Sequence, residues 1–399
     1  MVTKLFISLF LAVLSHCQCN NVLKSAGFSL NLVAENSSTD YLFSNAIAYG
    51  PIPTRYTIDV AIGTPGTVRR LSLDIKGSIT WTQCKPCITC FKQTYSFFDP
   101  RKSTSYKKVT SDPHNLFWKS DNGEYRFKSG FDNGLSISGI ASIENFTFTG
   151  NLALKGIVFG CANKYKPYNR RGQFFDRPSI AGILGLNRSP TSLVSQLGSQ
   201  RFSYCFPNFN VPPQRSGLIR FGDRVIENVH LQKTDLLSHT YPLYSVNLLK
   251  ISIAGCILCI PKNILPSPFY LDLGIRYSRI KIEAYNEVLK ALQGYFRRYN
   301  LTKVANSPSS DTHLCYRLSQ GFKEYTKMVL HFPGANFEIG RENLFLFMKD
   351  RFRLALMSTR RLQNILATYQ MQNVRFIYDN GNDKLLFGGE DCPTVDTSN

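Results

Sequence analysis

Acidic residues are scarce in this chain. Only 27 Asp and Glu stand against 47 Lys and Arg in 399 residues, a formal charge of +20, and charged positions make up 19% of the sequence. With 43% hydrophobic residues the chain can bury a substantial core, which excludes a compositionally disordered class. The basic residues are spread along the whole length with no clustered patch, so they read as solvated surface, although such an excess suits an acidic partner, polyanionic glycan included. Collagen-like, coiled-coil and polytopic membrane classes are excluded by composition. There is no Gly-x-Ser-x-Gly elbow, no His-Glu-x-x-His and no Gly-x4-Gly-Lys-Ser/Thr loop, so esterase, zinc-peptidase and P-loop chemistries have no support. The six His are isolated. His230, His239, His313 and His331 read as surface or strand residues.

Long apolar runs are also missing. The one candidate, Leu5 to Leu14 after Lys4, is too short to span a bilayer and precedes the small or polar stretch Ser15-His16-Cys17-Gln18-Cys19. It reads as a secretory signal peptide over residues 1–20. Residues 21–54 are polar and aperiodic, a pro-segment or flexible lead-in. Nine cysteines lie beyond the signal: Cys84, Cys87, Cys90, Cys161, Cys205, Cys256, Cys259, Cys315 and Cys392. In a secreted chain they form a disulfide framework with one left over. Cys84-x2-Cys87 and Cys256-x2-Cys259 also have zinc-ligand spacing, but far too much sequence separates them for a zinc ribbon, so no metal and no cofactor is expected. Sequons at Asn36, Asn145 and Asn300 suit glycosylation; Asn187 also fits one, but its surroundings look buried.

From Arg55 the texture becomes β-rich. Tyr56 to Ile62 alternates and then turns at Gly63-Thr64-Pro65-Gly66, and short runs broken by Gly, Pro, Asn and Asp recur to the end, with 29 Phe and 20 Tyr for bulk. An all-β chain is expected, with few helices. One is expected over Thr191 to Leu197, capped by Ser189 with Pro190 at its first position. Another runs from Ile282 to Tyr295, with Tyr285, Val288, Leu289, Leu292 and Tyr295 on one face. A weak repeat divides the rest. Leu73-Asp74-Ile75-Lys76-Gly77 has a counterpart in Leu271-Asp272-Leu273-Gly274-Ile275. Each aspartate is followed by an apolar pair and a small residue, Ile183-Leu184-Gly185 after 111 residues and Ile365-Leu366-Ala367 after 95. Two similar halves with one carboxylate each suggest two β-lobes around a cleft. Carboxyls facing each other there would share a proton, one acting as base on a water while the other hydrogen-bonds an amide carbonyl.

Further motifs give this pattern a family. Ser78-Ile79-Thr80-Trp81-Thr82-Gln83-Cys84-Lys85-Pro86-Cys87, Phe159-Gly160-Cys161, Gly182 to Leu186, Arg201-Phe202-Ser203-Tyr204-Cys205 and Leu314-Cys315-Tyr316 resemble, in order, those of the pepsin-like aspartic peptidases of the plant nepenthesin type. The resemblance covers Arg55 to Cys392. It implies a bilobal fold with an N-terminal lobe over 55–235 and a C-terminal lobe over 236–395. Asp74 and Asp272 become the catalytic pair, and Phe131, Gly77 and Gly274 line the substrate. The same resemblance implies a monomeric endopeptidase, extracellular or vacuolar, acting on polypeptide in the cleft, with no nucleic acid and no membrane as partner.

The loops depart from the family. Asp-Thr-Gly-Ser is replaced by Asp74-Ile75-Lys76-Gly77, and Asp-Ser-Gly-Thr by Asp272-Leu273-Gly274-Ile275. The flap tyrosine becomes Phe131, and Ala367 replaces a supporting Gly. Both loop hydroxyls are lost and a cation stands beside the dyad. Three readings follow: an aspartic endopeptidase, a catalytically dead homologue that binds peptide or protein in its cleft, and a basic glycan-binding protein on the same scaffold.

Overall fold

The computed structural model describes residues 27–36, 53–112, 115–130, 135–166, 179–208, 217–225, 230–304, 314–361 and 363–392. Residues 1–20, expected to be a signal peptide, most of the stretch 21–54, Phe131, His313 and the side chain of Asn36 lie outside those residues.

Alternation in the first strand sets the first lobe. Along Pro53–Ile62 the side chains of Tyr56, Ile58, Val60 and Ile62 point into the core, and the chain turns at Gly63 to Gly66 so that Ile62 pairs with Thr67. The returning strand, Thr67–Asp74, ends at the first aspartate of the repeat. These strands belong to a ten-stranded sheet in which Gly182–Gly185 lies between Thr67–Asp74 and Trp81–Gln83. The second lobe is built from sheets of five, four and three strands, and Ser267–Asp272 runs through the five-stranded one beside Asn364–Ala367. Beneath the cleft a six-stranded sheet joins the lobes, placing Arg201–Cys205 of the first beside Val374–Asp379 of the second. Aromatic side chains knit that junction: the Phe202 and Tyr378 rings stack at 4.5 Å, and Tyr244 meets Tyr378 edge-on at 4.5 Å. One continuous apolar core runs through both lobes. The fold is all-β and bilobal, as the repeat implied.

Three expectations change. The short helix spans Leu193–Gln196, not Thr191 to Leu197, because Ser192 and not Ser189 provides the cap, its hydroxyl accepting from the Ser195 N–H at 3.3 Å. The long helix, Ile282–Phe296, agrees with its apolar spacing and buries Ala284, Tyr285, Val288, Leu292 and Phe296. The lead-in is not wholly loose, since Phe28–Asn31 and Val33–Asn36 are strands. The cysteine framework is smaller than expected. Cys84 bonds Cys161, Cys87 bonds Cys90, and Cys205 bonds Cys392, whereas Cys256, Cys259 and Cys315 are free thiols. Cys256, on the second strand of the hairpin with Lys250–Ile253, and Cys259 just after it are exposed, and Cys315 faces Arg353 across its strand pair, so no cysteine stands opposite it. Two of the four thiols in the zinc alternative are thus consumed as disulfides.

Candidate active site

The two halves of the repeat build matching loops. Asp74 ends its strand in parallel register with Gly185, and Asp272 ends its strand in parallel register with Ala367, so the spacings of 111 and 95 are spacings between hydrogen-bonded neighbours. In each loop the residue two beyond the aspartate donates its backbone N–H to the carboxylate: Lys76 N to Asp74 Oδ1 at 2.8 Å and Gly274 N to Asp272 Oδ1 at 2.7 Å. Six residues beyond each aspartate stands a hydroxyl that accepts from the supporting strand, Thr80 Oγ1 from Gly185 N at 3.1 Å and Ser278 Oγ from Ala367 N at 2.9 Å. These hydroxyls are a further element of the repeat that the apolar pattern did not reveal.

The supporting positions are not equivalent. A Cβ on Gly185 would meet Gly77 O and Ile79 at 2.8 Å, so only glycine fits there, whereas the second loop leaves room for the methyl group of Ala367. Asn187 closes the first loop from below. It is 1% exposed, and its Nδ2 donates to Lys76 O at 3.0 Å while its Oδ1 accepts from Ser189 N at 2.8 Å. Sequence reasoning saw Asn187 only as a buried sequon. Its pairing with the loop backbone depends on the approach of residues 111 apart.

The altered loop residues have definite places. Ile75 and Leu273, standing where hydroxyls are usual, are fully buried in the common apolar core. Lys76 reaches across the cleft, its Nζ donating to Asp272 Oδ2 at 2.9 Å, with 27% of its side chain exposed against 7% for Asp272. Asp74 has a different environment. Desolvation, and after it the Asp272 charge, push its carboxyl above the usual range, outweighing the Lys76 backbone hydrogen bond, the Lys76 charge and the Arg55 charge. The Lys76 charge therefore lowers the Asp74 carboxyl by less than burial and the Asp272 charge raise it. The arrangement is asymmetric, an acid biased toward its neutral form beside a carboxylate bound to an ammonium.

Arg55 is a second cation that sequence reasoning passed over. Its pKa is lowered by desolvation and held up in part by the charges of Asp74 and Asp272. Arg55 stands two residues before Thr57, which pairs with Ser72 two residues before Asp74. Gly77 donates its N–H to Asp74 O at 3.2 Å, so it shapes the turn, and Gly274 holds the Asp272 carboxylate. Of the sequon residues, Asn300 is exposed, while Asn145 Nδ2 donates to Thr64 Oγ1 at 3.3 Å.

Two family models cover most of the chain, xylanase inhibitor N-terminal over residues 56–223 and xylanase inhibitor C-terminal over 243–389. The chain belongs to the plant branch of the pepsin-like aspartic peptidases. An Arabidopsis thaliana aspartyl protease family protein is 29% identical over 90% of this chain and 77% of its own length. Aspartic proteinase nepenthesin-1 of Nepenthes gracilis is 27% identical over 84% of this chain and 78% of its own. Among solved structures, edgp superposes with a TM-score of 0.71 at 14% identity, covering 92% of this chain and 95% of its own. Basic 7S globulin from soybean gives 0.68 at 17%, covering 91% and 94%. At those identities the likeness is one of fold.

Proposed function

We propose that this chain is a non-hydrolytic member of its family, a secreted protein that holds polypeptide in its cleft without cleaving it. The observation that carries the reading is the bond from Lys76 Nζ to Asp272 Oδ2. Amide hydrolysis by two aspartates needs a water held between them and a proton shared across them. The ammonium takes the Asp272 oxygen that would accept from that water. Lost loop hydroxyls and a phenylalanine in place of the flap tyrosine work in the same direction. The matched family models take their description from xylanase inhibitors, a name that suits binding in place of turnover. Three disulfides are in keeping with folding in an oxidising compartment.

The test is cleavage of an unstructured protein between about pH 3 and 6, where carboxyl pairs share a proton. Wild type is compared with Asp74→Ala and with a restored chain carrying Ile75→Thr, Lys76→Gly and Leu273→Ser. Expected is equal background for wild type and Asp74→Ala, with turnover only in the restored chain. Wild-type cleavage that Asp74→Ala abolishes would return the chain to the working peptidases.

A further inference from the structure

The two strands at the start of the described chain lie in the stretch whose sequence suggests a removable or flexible lead-in. Their contacts are of another kind. Phe28–Asn31 forms the outer strand of the inter-lobe sheet, paired with Leu218–Phe221 from Phe28 opposite Phe221 to Asn31 opposite Leu218. The Phe28 and Phe221 rings stack at 4.9 Å, and Leu30 and Leu32 are 1% and 0% exposed. Gly27 is wedged so closely that a Cβ there would come within 2.2 Å of Phe221 O. Leu32 N then donates to Gly217 O at 2.8 Å, and Val33–Asn36 crosses to the other sheet and pairs with Pro53–Ile62. At that end Glu35 enters an ionic network. Arg70 donates to Glu35 Oε1 and to both Asp59 oxygens, each at 2.8 Å, and Ser179 Oγ donates to Glu35 Oε2 at 3.2 Å.

The strand it covers is the one that carries Arg55. Glu35 is the register partner of Arg55, whose strand pairs with the one that ends at Asp74. Residues 27–36 therefore cover the edges of two sheets, fill the core beneath them and back the strand next to the dyad.

We propose that residues 27–36 are a permanent strap of the working protein, retained when any activation peptide would have been shed. An edge strand stripped of this partner would expose a row of unpaired N–H and C=O groups together with the pockets of Leu30 and Leu32. A chain cut anywhere in residues 37–52 becomes a two-chain protein, with the strap held by strand pairing, buried leucines and the Arg70 bridge.

Two measurements decide this. N-terminal sequencing of the protein from its natural source is expected to recover a start at or before Gly27; a stable, folded form beginning after Asn36 overturns the proposal. In the full chain, a recognition sequence for a site-specific protease is placed within residues 37–52 and cut. The strap peptide is expected to co-elute with the body in native buffer and to separate only in denaturant. Release that brings down the unfolding temperature of the body by ten degrees or so supports an integral strap as well. Release in native buffer with an unchanged unfolding temperature refutes it. Neither measurement reads proteolysis, so their outcome is separate from that of the cleavage assay.

Discussion

Replacing Lys76 by methionine removes the ammonium while keeping the length of the side chain, and the consequence depends on pH. Asp272 is only 7% exposed at its side chain, so loss of its partner leaves a largely buried carboxylate uncompensated. Breaking a fully buried pair costs about 3–5 kcal/mol. Lys76 keeps 27% of its side chain in solvent, so screening brings the expected loss down to roughly 1–3 kcal/mol at neutral pH. The sign follows from linkage. Without the lysine charge the Asp74 carboxyl is pushed further above its unfolded value, since the Lys76 charge is one of the influences holding it down. A carboxyl with a raised folded pKa contributes stability that is present below the unfolded value, near about 4, and is lost as pH rises through the folded value. Lys76→Met should therefore match wild type at about pH 3–4 and fall behind progressively toward pH 7. At roughly 2–4 °C per kcal/mol for a unit the size of one lobe, the gap reaches about 2–12 °C. Thermal unfolding followed by circular dichroism at several pH values reads this directly. A deficit of the same size at every pH would mean that Lys76 acts by packing its stem, and the ionic account of the dyad would fail.

The other predictions rest on the same geometry. Asp74→Asn keeps an oxygen for the Lys76 N–H and removes a carboxyl whose charge is disfavoured by desolvation, so the variant should be more stable than wild type at pH 7 and lose that advantage as the pH approaches about 4. Thr80→Val and Ser278→Ala each orphan one buried N–H, at Gly185 and at Ala367, and should each cost about 1–3 kcal/mol in urea unfolding; a shift in only one of them would contradict the equivalence of the two loops. Alkylation without reductant should label Cys256 and Cys259 on the folded protein and Cys315 only after denaturation, and recovery of Cys256 and Cys259 as a linked peptide would contradict the free-thiol assignment.

Much of the architecture was legible because it is local or periodic. The alternation through Ile62, the turn at Gly63 to Gly66, the long helix and the duplicated aspartate loops all depend on residues near each other in the chain. What escaped was decided by distance in sequence. Lys76 and Asp272 are 196 residues apart, and nothing in a one-dimensional pattern says that the lysine turns across the cleft instead of into solvent. Arg55 was hidden similarly, since its place depends on the register of the first hairpin. The thiols failed for a related reason: C-x-x-C spacing at Cys256 resembles that at Cys87, but the one lies on a hairpin strand and the other in a loop that brings its sulfurs together.

Retention of both aspartates was the best sequence argument for a working peptidase, and the structure supplies another reason to keep them. The usual loops are tied across the lobes by hydroxyls; here Ile75 and Leu273 occupy those positions and contribute apolar burial, which is non-directional. A directional tie remains, the bond from Lys76 of one lobe to Asp272 of the other. Asp272 neutralises that ammonium, and Asp74 accepts the Lys76 N–H that shapes the loop from which the side chain departs. The duty of Asp272 comes with the lysine, whereas the bond at Asp74 is the same backbone bond that Gly274 makes in the second loop. On this account Asp272→Asn should weaken the folded protein at neutral pH even though it has no reaction to lose, whereas in a peptidase freed of the lysine the same change should abolish turnover and relieve the repulsion between the two acids.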